Sequence, residues 1–213
     1  TNICLGQTAT ITVSGADSYV WDNSLPALDT HDVSPTDTTT YKVIGTTNGC
    51  SSEDSITINV IALPNITMSN NSPLCEGDTL VLNADGGNTY SWTGPDSFVS
   101  TEQNPEIEDV TTTNAGTYYV TVENTHGCQS NDSTIVVIDE LPTAVITGDT
   151  AICAEETITL TASGGANYLW STGAVTANIS VTSPISGDVT YTVTVSNGNC
   201  TSEASHTVTY HPL

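Results

Sequence analysis

The sequence predicts an all-β protein of three tandem β-sandwich domains, and three observations carry that expectation. A cysteine precedes a tryptophan by 17 residues three times, in "CLGQTATITVSGADSYVW", "CEGDTLVLNADGGNTYSW" and "CAEETITLTASGGANYLW", each with a tyrosine two residues before the tryptophan. Each copy closes with a tyrosine strand, a turn and a second cysteine, in "TTYKVIGTTNGC", "GTYYVTVENTHGC" and "VTYTVTVSNGNC". Between these marks lie short segments of period-two alternation such as "TITLTA", "YTVTV", "SITINV" and "STIVVI", broken by Gly, Asn, Asp and Pro, with no useful helical period.

Within one repeat the elements follow in order. "TITLTA" leaves the first cysteine as a strand, "SGG" or "DGG" turns the chain, and "YLW" begins the next strand with Tyr168 and Trp170 on one face. Trp21, Trp92 and Trp170 are therefore expected as core plugs, because a one-residue slip of register would turn each ring to solvent. Two packed antiparallel sheets per repeat is the economical architecture. The "LP" dipeptides at Leu63–Pro64 and Leu141–Pro142 mark short linkers and divide the chain into repeats at 1–62, 63–142 and 143–213. Such linkers imply a semi-rigid row of domains.

Repeats of this size bury little apolar surface alone, so staples are expected. Matching places in the frame pair Cys4 with Cys50, Cys75 with Cys128 and Cys153 with Cys200, one disulfide per repeat. Closing such a loop stabilises the fold by roughly 4 kcal/mol in the chain-entropy model. Cysteine pairs point to an oxidising, extracellular compartment.

Charge excludes several functions. The chain carries 24 acidic residues against one basic residue, Lys42, for a formal charge of −23. Nucleic acid is excluded as a partner, since phosphates are bound by displacing counterions with Lys and Arg, and an anionic membrane surface is disfavoured for the same reason. No run reaches the ~20 apolar residues of a membrane span, so no membrane insertion is expected.

Catalytic patterns are absent from the sequence: there is no GxSxG elbow, no phosphate loop and no HExxH. His31, His126, His206 and His211 lack partners at zinc-ligand spacing and read as surface or turn residues, which leaves no metal or cofactor expected. Asp139, Glu140, Asp149, Glu155 and Glu156 flank the second linker and would suit calcium by donor type, but no calcium-loop pattern joins them, so they read as solvated acids. The chain reads as a non-enzyme.

Two stretches carry a resemblance. "NAGTYYV" at 114–120 resembles the tyrosine corner of immunoglobulin-like domains, with Tyr118 as the corner and Val120 where an antibody domain has its second cysteine. "YSWTGPDSFVSTEQNPEIEDVTTTNAGTYYVTV" and the frame of the third repeat resemble the Ig-like and PKD-like repeats of large secreted surface proteins of Bacteroidetes, including gliding-motility adhesins and other type IX secretion cargo. That resemblance implies three immunoglobulin-like sandwiches in the repeat region of an extracellular, cell-surface adhesin or filament protein. The region would act as stalk or spacer and as a possible adhesion surface. Its partners would be further repeats of the same protein, with surface polysaccharide or a neighbouring surface protein as possible ligands. It also suggests O-glycan acceptors where Asp precedes Ser or Thr, at Thr38, Ser55, Thr79, Ser133 and Thr150.

A different class, a carbohydrate-binding accessory module of a secreted polysaccharide-degrading enzyme, would need exposed aromatics in a row. With the tryptophans assigned to the core, only Phe98 and Tyr210 are left for that purpose. The first repeat starts almost at its cysteine, whereas "TAVITGDTAIC" gives the third a full opening strand. The expectation is therefore an array cut at both ends, with an unpaired edge in the first sandwich that a preceding segment of the same protein covers or, as the alternative, a strand donated from a neighbour.

Overall fold

The structure, a computed structural model, describes residues 1–213. Apart from one 3-10 turn at Thr112–Asn114, its regular elements are strands. The chain is a tandem of three immunoglobulin-like β-sandwiches.

The third repeat shows the pattern most completely. One sheet runs in the order Ala151–Cys153, Cys200–His211, Gly187–Asn197, Asn167–Trp170, and the facing sheet in the order Val145–Thr147, Thr157–Ser163, Asn178–Thr182. Alternation decides the inward face. Along Thr157–Ser163 the residues Ile158, Leu160 and Ala162 are buried while the intervening Thr and Ser face out. They form a core with Trp170, Val193, Val195, Val208 and Tyr210. The two long strands Gly187–Asn197 and Cys200–His211 form a hairpin paired over their whole length, and this is the backbone of the repeat.

The first repeat keeps the larger sheet, in the order Asn2–Cys4, Cys50–Ile61, Thr39–Thr47, Ser18–Trp21. Its second sheet has two strands, Ala9–Thr12 and Thr30–Val33, where the third repeat has three. The middle repeat has a sheet of Val99–Ser100, Thr89–Thr93, Gly116–Glu123 and Gln129–Val136, a second of Glu106–Ile107, Leu80–Asp85 and Thr67–Asn70, and a short pair of Ile138–Asp139 with Leu74–Cys75. By contacts the chain divides into two compact units. The first is Thr1–Thr67, Ala84–Ser91 and Val120–Asp132; the second is Met68–Asn83, Trp92–Tyr119 and Ser133–Leu213. The division runs through the middle repeat and not along the "LP" linkers.

One topological feature governs the cysteines. In every repeat the short opening strand pairs parallel with the end of the closing strand, setting Cys4 against Ile61, Cys75 against Asp139 and Cys153 against His211. The opening cysteine thus lies at the far end of the domain from the turn that carries the closing cysteine.

All three tryptophans are buried, and each indole N–H has a backbone partner. Trp21 Nε1 donates to the Leu28 carbonyl at 2.8 Å, Trp92 to Glu102 at 3.0 Å and Trp170 to Thr176 at 2.9 Å. Burial of a polar N–H is tolerated because the bond replaces the one lost from water. The tyrosine two residues before each ring braces the preceding turn. Tyr90 donates to the Gly87 carbonyl at 3.2 Å, Tyr168 donates to Gly165 at 2.9 Å, and Tyr19 accepts from the Ala16 amide at 2.9 Å. The fixed Tyr-x-Trp spacing therefore serves both the core and the turn.

Candidate functional site: the stapled junctions

The pairing of cysteines within repeats, expected from the sequence, is overturned. The disulfides are Cys4–Cys128 and Cys75–Cys200, with Cα–Cα distances of 5.5 and 5.6 Å, while Cys50 and Cys153 are free and exposed. The physical reason is strand length. Cys4 faces Ile61, and Cys50 lies eleven residues back along that same strand, roughly 35 Å away at the rise of an extended chain. The same eleven-residue offset separates Cys128 from Asp139 and Cys200 from His211. A disulfide needs Cα atoms within about 7 Å, so neither Cys4–Cys50 nor Cys75–Cys128 nor Cys153–Cys200 can form.

Instead, the opening cysteine of one repeat meets the closing cysteine of the next. The first junction lies within the first compact unit and the second within the other. Around Cys4–Cys128 a shallow groove is lined by Leu5, Gly6, Gln7, Leu63, Gly127 and Gln129. Gln7 Oε1 accepts the Cys4 amide at 2.9 Å and fixes the turn that presents the sulfur. Asp78 does the same for Cys75 at 2.8 Å. On the other side of the first junction, Asn124 Nδ2 donates to the Ala62 carbonyl of the linker at 3.0 Å, while its Oδ1 accepts the amides of His126 and Cys128. At the second junction Cys200 is fully buried, its sulfur 3.8 Å from the Asp139 carbonyl.

The glycine turns read from sequence as hairpin turns have a further role here. A Cβ on Gly86 would run into the Asn65 carbonyl oxygen, and one on Gly164 into that of Thr143. Both have positive φ, +114° and +106°. Each turn therefore lets the chain leaving the linker pass directly over it. In the third repeat that chain continues as Val145–Thr147, pairing with Thr161–Ser163, and the Ala144 amide donates to Ser202 Oγ at 3.1 Å. Linker, covered turn and disulfide thus hold each junction at separate points.

The remaining sequence-singled residues fall elsewhere. Tyr118 is fully buried and its hydroxyl donates to the Asn114 carbonyl at 2.8 Å, the geometry of a tyrosine corner. Burial pushes its phenol up, and the Asp96 carboxylate adds to this. Two readings are corrected. His31 is buried beside Trp21, ring centroids 5.4 Å apart, with Nε2 unpartnered, so it is a core residue and not a surface one. Tyr210 is buried and shares a hydroxyl–hydroxyl hydrogen bond of 3.2 Å with Tyr191, so it is no spare surface aromatic. Burial, then the Tyr191 contact, push its phenol up to about 12.

Phe98 is half-buried, edge-on to Tyr118 at 5.5 Å. Among the aromatics Tyr119 alone is exposed, so no aromatic row exists. His126 and His211 are exposed and His206 half-buried. No three His, Cys, Asp or Glu side chains gather closely enough to hold a metal ion, the five acids of the second linker included. Thr38, Ser55, Ser133 and Thr150 are exposed, whereas Thr79 is half-buried. The one cation, Lys42, sits 3.4 Å from Glu53 in an exposed pair.

Comparison with known proteins agrees with this architecture. Residues 63–138 match the immunoglobulin domain family. No curated protein matches. Among solved structures, a three-domain I-band fragment of titin superposes with a TM-score of 0.52 at 13% identity, covering 100% of this chain and 95% of its own. Extracellular domains 3–5 of Drosophila OTK give a TM-score of 0.48 at 10% identity, covering 99% of this chain and 94% of theirs. The chain is similar to tandem immunoglobulin arrays in fold, and the molecule is defined as a tandem of immunoglobulin-like modules.

Proposed function

We propose that this chain is the extracellular repeat region of a cell-surface adhesin or filament protein and works as a stalk or spacer, with the repeats divided at 1–62, 63–142 and 143–213. The observation that carries the reading is that both disulfides join one repeat to the next, not two points of one sandwich. A staple inside a domain raises that domain's stability. A staple between domains restrains bending at the junction, and it contributes the loop-closure term as well, about 5 kcal/mol for loops of this length. A binding module gains little from such joints, whereas a spacer that must hold its length under load gains directly.

The acidic surface suits this role. With a charge of −23 and one basic residue, neighbouring copies repel and stay dispersed. Disulfides are kept in oxidising compartments, which supports an extracellular site. The likeness of the repeat frame to Bacteroidetes surface proteins favours that setting. The carbohydrate-binding alternative has lost its aromatics to the core, and the reading includes no catalysis.

Pulling single molecules by their ends tests the proposal. The shortest covalent path from Thr1 to Leu213 goes through Cys4 to Cys128, back along the chain to Cys75, and across to Cys200. That path is about 70 residues, so the oxidised protein should extend to about 240 Å and the reduced protein to about 720 Å. Equal extension in both states would remove the stapled-stalk reading.

A further inference from the structure

We propose that the outer face of the four-stranded sheet in the middle repeat is an interface, and that its occupant is the same face of a second copy of this chain. It names a lateral partner for the proposed stalk and rests on that reading only for its setting. Strand alternation builds the face. Trp92, Tyr118 and Val136 are buried, so their neighbours Thr93, Tyr119 and Ile135 point outward from the sheet, and Val99 stands opposite Thr93 in register. Tyr119 lies on the strand between those of Thr93 and Ile135. Val99, Tyr119 and Ile135 are 74%, 57% and 69% exposed, and Tyr119 is the one exposed aromatic of the chain. Apolar side chains with an aromatic among them, set between threonine and serine, have the composition of a protein interface.

Charge decides the occupant. On the matching sheet of the first repeat the outward row Val20–Ile44 ends on Glu53, with Lys42 beside it. In the third repeat the row Leu169–Thr194 ends on Glu203, whose carboxylate accepts the Thr194 hydroxyl at 3.2 Å. The middle repeat makes the same cross-strand bond from Thr121 to Asn131, at 2.7 Å, so a neutral amide replaces the carboxylate. The next acid along that strand, Glu123, is held by Gln129 Nε2 at 2.7 Å. In a chain of charge −23 this sheet face is therefore the one whose outward row carries no charge.

A basic partner is drawn to the acidic surface as a whole and gains nothing particular at a neutral patch. A partner as acidic as the chain itself is repelled over the rest of the surface and docks where both sides are uncharged. A second copy brings such a side with it. Two-fold docking of like faces sets Tyr119 of each copy against the apolar side chains of the other, and an isologous contact of this kind closes at two copies. Repulsion between the remaining surfaces opposes the dimer, so added salt strengthens it, the reverse of an interface built on ion pairs.

Sedimentation of the full chain reads this equilibrium, with Cys50 and Cys153 alkylated so that no disulfide links the copies. From about 0.01 M to about 1 M salt the Debye length falls from about 30 to about 3 Å, and the dimer of two 22.1 kDa chains should gain population throughout. Tyr119→Asp and Ile135→Asp each place two carboxylates in the contact and should weaken it about tenfold or more. Val20→Asp and Leu169→Asp, on the matching faces of the other repeats, should leave it unchanged. All four positions are exposed, and thermal unfolding checks that each variant folds. A chain that stays monomeric across the salt range, a dimer that salt weakens, a dimer that Tyr119→Asp leaves intact, or loss of the dimer in Val20→Asp or Leu169→Asp would overturn the proposal. The extension of single molecules under load does not depend on this face, so each of these results leaves the stapled stalk to its own test.

Discussion

The first and third repeats share one frame, Cys to Trp to Tyr to Cys, yet one ends in an open pole and the other in a covered one. In the third, Val145–Thr147 adds a third strand to the smaller sheet, and Ala144 and Ile146 pack on the core. In the first that sheet has two strands, and Val13 and Tyr19 border the open groove. The small differences follow this one. The third repeat has Gly165 beneath Val195, while the first has Ala16 against Gly45, where a Cβ on the glycine would come within 2.9 Å of the alanine methyl. The volume is kept and its owner exchanged. In the third repeat that strand acts at the pole where repeats join, and the Cys to Trp to Tyr to Cys frame behind it matches that of the first.

That comparison can be broken most forcefully in the cores. Trp170→Ala should cost its repeat about 4–5 kcal/mol and Trp21→Ala about 3 kcal/mol, because Trp170 sits in the larger cluster and Trp21 retains more exposure. Denaturant unfolding of each variant measures both. Equal losses would show that the two cores hold their tryptophans equally well, whatever their difference in size.

A sharper contrast lies in the turns. Gly164→Ala meets both a positive φ and the Thr143 carbonyl, so about 3 kcal/mol is expected; Gly15→Ala meets only the φ, so about 1 kcal/mol. Similar values for the two would mean that the groove of the first repeat is not open in solution.

A smaller effect is set by pH. The folded state raises the Tyr210 phenol from the ordinary 10.0 to about 12, so the neutral form is favoured by folding. The stability this represents is present in full below pH 10 and is lost as pH rises from 10 toward 12. Thermal unfolding across that window should show the third repeat weakening, and Tyr210→Phe should flatten that slope. The first repeat has Val60 at the equivalent place and should lack this contribution.

Much of this was legible beforehand, for identifiable reasons. Trp21, Trp92 and Trp170 were placed by periodicity and fixed spacing, which local chain geometry controls. The disulfide pairs were not, because matching places within one frame carry no information about contacts between repeats. Cysteine spacing says nothing of which end of a sandwich each cysteine occupies. The missing step was available in principle: an opening strand that runs parallel with the closing strand must end eleven residues beyond the closing cysteine, at the opposite pole. The burial of His31 was not legible for a related reason, since its inward position in Thr30–Val33 depends on pairing with Ala9–Thr12. Tyr210 likewise faces inward because of its register in the long hairpin, opposite Gly187.

The pairing of the cysteines is the claim on which the account depends, and a peptide map of the non-reduced protein, alkylated before digestion, tests it directly. The account predicts Cys4 linked to Cys128 and Cys75 linked to Cys200, with the alkyl label on Cys50 and Cys153 of the monomer. Peptides joining Cys4 to Cys50, Cys75 to Cys128 and Cys153 to Cys200 would contradict it.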